Sequence, residues 1–216
     1  MVWLLQTLLS PGMTFLDVGA HIGEFTLVGA KLVRAEGKVI AVEPLAPCAE
    51  AIRNNAALNG MSQVQVFEGA LAGTSGKIGF NSDGARSGGW IARNAGQAAF
   101  EAQCWSLDDL LAHAGITAVD VAKLDASGNE IAVLRGAAKS LPAGRVRTLV
   151  MKLYHPDVVR ERFGYDAHES VTLLHQWGFA LKLVVRQEAF PILRAEDMDS
   201  HFDRLVYSHL LVATAK

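Results

Sequence analysis

The chain has two cysteines in 216 residues, Cys48 and Cys104, far apart and without metal-ligand spacing. This excludes a disulfide framework and gives no zinc signature, so no metal is expected and both thiols read as small buried apolar side chains. Charge is scarce as well: 19% of the residues are charged, and the net charge is −2. Without a basic stripe there is no electrostatic footprint for a polyanion, so the expected partner is a small molecule, with no nucleic acid and no membrane. Long apolar runs are also missing, none approaching the roughly 18 residues of a membrane span. Residues 1–9 are apolar but lack a basic start and a small-residue cleavage site, and read as a short helix packing on the core. A soluble, cytoplasmic protein is expected, with a homodimer left open as its assembly.

Two phosphate-binding signatures are absent. Gly19 and Gly23 bracket Ala20, His21 and Ile22, so the middle glycine of Gly-x-Gly-x-x-Gly is missing, which disfavours a nicotinamide dinucleotide. Nor does Gly-x-x-x-x-Gly-Lys-Ser/Thr occur, which argues against a P-loop.

What is present is a strand, a tight turn and a helix. Residues 14–18 form a compact apolar run carrying Asp17; Gly19 follows, and a helical pattern runs from Gly23 through Phe25, Leu27 and Val28. A glycine here lets a ligand approach the backbone and tolerates dihedrals that other residues resist. The next strand, residues 39–42, ends at Glu43, about twenty residues beyond the turn, where a βαβ unit presents a carboxylate to ribose hydroxyls. A looser glycine turn of this kind suits a nucleoside without phosphates.

Length predicts one domain, residues 1–216. Beyond the first βαβ unit the pattern predicts a helix over 46–58, a strand over 64–67, a capped helix over 106–114, a strand over 119–124, a helix over 130–141 and a strand over 147–153. A helix over 166–177 and strands over 179–185 and 203–212 close the series, the last two pairing as an antiparallel hairpin. This is an α/β plan of the doubly wound type. An insertion of about residues 72–105 interrupts it, with short strands at 77–80 and 102–105. Between them, the glycine-rich stretch 81–97 reads either as a cover anchored by Trp90 or as plain disorder.

The ordered fragments resemble the FkbM-type family of S-adenosylmethionine (SAM)-dependent methyltransferases. They are Asp17-Val18-Gly19-Ala20-His21-Ile22-Gly23, Val42-Glu43-Pro44, Asn54-Asn55 with Leu58-Asn59-Gly60, Gly69-Ala70-Leu71, Ser87-Gly88-Gly89, Leu107-Asp108-Asp109-Leu110, Val121-Ala122-Lys123-Leu124-Asp125, Gly128, Glu130, Val133-Leu134-Arg135-Gly136-Ala137 and His155-Pro156. The resemblance implies a Rossmann-like class I methyltransferase fold, a seven-stranded, mostly parallel sheet with an antiparallel last strand, and SAM bound across the ends of the first strands. It also implies methyl transfer to an oxygen, commonly a hydroxyl of a small molecule or sugar. Two positions depart from the family pattern. Ser127 in Asp125-Ala126-Ser127-Gly128-Asn129-Glu130 stands where the family has a glutamate, and Lys152 in Lys152-Leu153-Tyr154-His155-Pro156 replaces an acid. Either the acceptor carries an acid that Lys152 meets, or the protein binds SAM or a partner with weak or lost catalysis.

The expected cofactor-binding residues are Asp17, Gly19, Ala20, His21, Gly23, Glu43, Pro44, Gly69, Ala70 and Asp125. Asp17 would meet the cofactor's amino group or cap the turn, Glu43 would hold the ribose, and the segment at Gly69 and Ala70 would border the adenine. His21 would touch the methionine part or stabilise the turn. The expected catalytic residues are His155, Asp125 and Lys152, with His155 as base or as the cap of the turn before Pro156.

Overall fold

The computed structural model describes residues 1–82, 89–92, 96, 98–185, 188–201 and 208–215. In chain order it comprises α1 Val2–Leu8, β1 Thr14–Val18, α2 Glu24–Val33, β2 Lys38–Glu43, α3 Ala46–Leu58, β3 Val64–Glu68, β4 Ala70–Leu71, β5 Gly76–Ser82, β6 Gly89–Ile91 and β7 Phe100–Trp105. There follow α4 Leu107–His113, β8 Val119–Leu124, α5 Glu130–Arg135, β9 Val146–Tyr154, α6 Pro156–Phe163, α7 Ala167–Gln176, β10 Phe179–Val185, β11 Glu188–Ile192, a 3₁₀ turn Ala195–His201 and β12 Ser208–Ala215.

The main sheet has the order β11-β10-β12-β9-β8-β1-β2-β3. β3, β2, β1, β8 and β9 are mutually parallel, whereas β12 runs antiparallel to both β9 and β10. The expected antiparallel last strand is therefore present, paired with the strand of residues 179–185. The sheet has eight strands rather than seven, because β11 folds back on β10 and extends the edge. Its sequence, broken by Pro191 and carrying Glu188, lacks the apolar run of a central strand; an edge strand tolerates both residues.

Both faces of the parallel region are covered, which is why β1, β2 and β8 read as near-continuous apolar runs. Alternate residues go to opposite sides. Leu16, Ile40 and Ala122 join the larger core under α4, α5 and α7, while Phe15, Val39 and Val121 pack with Leu4 and Leu5 of α1 and with Ala30 and Val33 of α2. The short apolar helix expected at the start of the chain thus lies on the second face.

Two helices differ from the sequence expectation. The helix expected over 130–141 stops at Arg135. Gly136 follows, its carbonyl accepts from Asp108 N at 3.2 Å, and the Asp108 carboxylate takes the backbone N–H groups of Lys139 and Ser140 at 3.1 and 2.8 Å. Those amides are then lost to any helical ladder. The second difference is α6, which begins at Pro156, where a turn is expected; proline is pre-organised for the first helical position.

The described strands between residues 70 and 105 form a separate sheet of order β4-β7-β5-β6. The strands expected at 77–80 and 102–105 correspond to β5 and β7, paired antiparallel. Within the glycine-rich stretch, β6 pairs with β5; Trp90 stands on it, 41% exposed. Residues 83–88, 93–95 and 97 of that stretch lie outside the described residues, as do Ser87 and Gly88 of the motif series and residues 202–207 of the last expected strand. No described helix is long and apolar enough to cross a membrane.

Candidate functional site

The carboxyl ends of β1, β2, β8 and β9 open into one crevice of about 370 Å³, roofed on one side by Phe80, Gly89 and Ile91 of the small sheet. That volume lies within the roughly 300–1,000 Å³ of small-molecule sites, and the place is where open α/β sheets bind ligands.

The turn after β1 is built by close approach. Gly19 has φ +70°, and a Cβ on it would sit 1.9 Å from the backbone oxygen of Asp125. Only glycine lets the two strand ends come so near. Gly19 N and Ala20 N donate to Val42 O at 3.0 and 3.1 Å, tying the turn to β2. Gly23, at φ +90°, starts α2, and His21 between them is left-handed as well, at φ 51°. A histidine held there costs energy that the surrounding hydrogen bonds must offset.

Glu43 supplies one of those bonds. It ends β2, is 4% exposed and lines the crevice. Its Oε2 accepts from His21 N at 2.8 Å and its Oε1 from Leu45 N at 2.9 Å. Burial raises its pKa above the ordinary carboxylate value, the two backbone hydrogen bonds opposing that rise. Each oxygen keeps a further lone pair for a ligand hydroxyl. Pro44, Gly69, Ala70, Ala20 and His21 also line the crevice, so that most of the expected cofactor residues come together.

Asp17 does not join them. It is fully buried, with Oδ1 3.0 Å from Lys123 Nζ and Oδ2 accepting from Thr26 Oγ1 at 2.7 Å. The expectation that it meets a cofactor amino group is corrected accordingly, because its carboxylate is spent beneath the crevice floor, between β8 and α2. Lys123 is the residue that sequence reasoning missed. Its Nζ also donates to Val18 O and Gly19 O at 3.2 and 2.7 Å, so the ammonium fastens the glycine turn from below. The signal was a lysine inside an otherwise apolar strand, opposite Asp17 in the parallel register.

At the other end of the crevice stand Asp125, Ser127, Lys152 and Tyr154. Lys152 Nζ lies 3.2 Å from Asp125 Oδ2 and 4.9 Å from the centre of the Tyr154 ring. Tyr154 Oη donates to Asp125 Oδ1 at 3.5 Å, a long contact. The loop after β8 is held by Glu130, whose Oε1 accepts from Ala126 N at 2.9 Å and Gly128 N at 3.2 Å, leaving Ser127 left-handed at φ 50°. Glu130 is 2% exposed, and desolvation pushes its pKa up to about 7, the neighbouring Asp125 adding to that rise against the backbone hydrogen bonds. His155 is placed differently from the expected base. It caps α6, its Nδ1 accepting from Asp157 N at 3.2 Å, and it is not among the crevice-lining residues.

Residues 17–181 match the Methyltransferase FkbM domain family. No curated protein matches the chain by sequence. Among solved structures, methyltransferase FkbM from Methylobacillus flagellatus KT superposes with a TM-score of 0.60 at 14% identity, covering 99% of this chain and 50% of that one. The chain thus spans half the length of that protein. Aeropyrum pernix fibrillarin, solved with natively bound S-adenosyl-L-methionine, gives a TM-score of 0.54 at 13% identity, covering 99% of this chain and 73% of that one. An rRNA methylase from Streptococcus thermophilus gives 0.52 at 12%, covering 99% and 93%. The last likeness corrects the expectation that nucleic acid is excluded. A protein named for acting on rRNA shares this fold, and a net charge averaged over the whole chain does not report the charge of one local face.

Proposed function

The chain belongs to the Methyltransferase FkbM domain family, and we propose on that premise that it transfers the methyl group of SAM to a hydroxyl oxygen of a small molecule or sugar. One observation carries the reading. A buried carboxylate, Glu43, faces the crevice at the tip of β2, beside a turn where a Cβ on Gly19 would meet backbone at 1.9 Å. A carboxylate with spare lone pairs matches a ribose diol, and a cradle without side chains matches a nucleoside approaching the main chain.

Within this reading Glu43 holds the ribose, and the turn from Gly19 to Gly23 takes the methionine portion. Gly69 and Ala70 border the adenine. When bound, SAM supplies a methyl on a sulfonium, which an oxygen takes as the carbon–sulfur bond breaks and its electron pair stays on sulfur. The protein's own task is alignment, which in favourable cases supplies up to about 7–11 kcal/mol. Asp125 lines the acceptor end and receives the hydroxyl proton, a role that passes to it from His155. Lys123 and Asp17 keep the turn rigid without touching either reactant.

Calorimetry with SAM and with its demethylated product is the test of the cofactor half. A folded protein that binds neither would defeat the proposal. Turnover with a panel of hydroxylated compounds, including an RNA, tests the rest; binding without any demethylated product would leave a SAM-binding protein instead.

A further inference from the structure

Two lysines line the crevice, and they are in opposite situations. The Lys123 ammonium is buried, forms an ion pair with Asp17 Oδ1 at 3.0 Å and donates hydrogen bonds to Val18 O and Gly19 O. Lys152 keeps 31% of its side chain exposed, and its one hydrogen-bond acceptor among the described residues is Asp125 Oδ2. The Tyr154 ring lies under it, because residues two apart on a strand share a face. The ammonium is therefore held in position with two N–H bonds left for a ligand.

Its place in the sheet says which ligand. From β2, which carries Glu43, to β9, which carries Lys152, the order runs through β1 and β8. Three strand spacings separate the two ends of the crevice, or about 14 Å. The nucleoside end belongs to Glu43, so Lys152 stands where an acceptor enters. A second cation beside a sulfonium is unfavourable in a site of low dielectric. Asp125 cancels the charge of Lys152 but leaves no surplus of negative charge to face the sulfonium, and an acceptor that brings its own anion restores it. Because Asp125 already shares the ammonium, a monoanion fits better than a dianion.

Resting on the methyltransferase reading above, we infer that the acceptor is a hydroxylated carboxylic acid, and that Lys152 binds its carboxylate and sets specificity for it. The carboxylate takes the free N–H bonds of Lys152, and the accepting hydroxyl of the same molecule lies toward β8 and Asp125.

The test uses the protein loaded with the demethylated cofactor, titrated calorimetrically with hydroxybenzoates and short aliphatic hydroxy acids, each against its own primary amide. Acids should bind about 10- to 100-fold more tightly than their amides, as expected for hydrogen bonds to a charged group. Lys152→Met should abolish that difference, and Lys152→Arg should retain it. Thermal melting of both variants establishes that they fold. Acids and amides binding alike, no acid binding at all, or a preference that survives in Lys152→Met would each overturn the inference. Methyl transfer read in parallel keeps the two proposals apart. An acid preference without turnover defeats the transfer reading and leaves standing only the carboxylate-binding role of Lys152, and turnover without an acid preference overturns this inference and leaves the transfer reading.

Discussion

Glu43 is asked to do two things at once. Its carboxylate accepts one backbone N–H on each oxygen and so fixes the left-handed His21, while offering the remaining lone pairs to the crevice. Glu43→Ala is expected to weaken SAM binding by about 1.5–3 kcal/mol, the range of hydrogen bonds to a charged group. Calorimetry checks it, and unchanged affinity would refute the role. The raised pKa adds a pH dependence. Hydroxyl donors prefer the ionised carboxylate, so affinity should fall as pH drops through a Glu43 pKa lying above its ordinary value, and the fall should vanish in the alanine variant. The Asp17–Lys123 pair is a contrasting case, because neither partner reaches solvent. Lys123→Met should cost about 3–5 kcal/mol in denaturant unfolding by leaving a buried carboxylate unpaired, and Asp17→Asn in the same chain should recover most of it. Glu43 was legible in the sequence because the cue was local, an acid ending an apolar strand at a set distance from a glycine. The ion pair was not, since it joins residues 17 and 123 through strand register, which no local pattern carries.

The turn between β1 and α2 depends on contact with another element, the end of β8. Gly19→Ala combines φ +70° with a Cβ at 1.9 Å from Asp125 O, so either β8 retreats or the turn opens. The expected result is a loss of stability of about 2 kcal/mol or more together with loss of SAM binding, read by melting and calorimetry on the same sample. Most elements are visible from periodicity and caps: Ser106 accepts from Asp109 N at 3.0 Å as its spacing predicts, and α3 begins and ends at the expected residues. Where the reading failed, a side chain or neighbour outside the element decided the matter. Asp108 takes the amides that would have prolonged α5, and β11 adds itself to an edge through pairing with β10. His155 beside Pro156 has the local pattern of a turn, and is a helix cap in the fold because α6 continues beyond it.

For the molecule as a whole, Glu130 links folding to pH. Its carboxyl is raised from 4.5 to about 7 by burial, so the native state binds a proton that the unfolded chain has released across that interval. Stability from this group is fully present below about pH 4.5 and is lost as pH rises through about 7. Melting temperatures of Glu130→Gln and the parent should therefore diverge in the variant's favour between about pH 5 and 8. A constant difference would show that Glu130 does not titrate in the fold. The sheet order was available only through family resemblance, since alternation of strands and helices fixes the class but not which strands are neighbours.

The small sheet contributes Phe80, Gly89 and Ile91 to the crevice, yet shares no strand with the large one. Its β4 also lends Ala70 and Leu71 to the same crevice, so the small sheet forms one wall along it while Glu43 and Lys152 stand on the large sheet. Among the described residues the strand of Gly89 and Ile91 pairs with β5 alone, so changes confined to it are expected to reshape that wall of the crevice without moving Glu43 or the turn at Gly19.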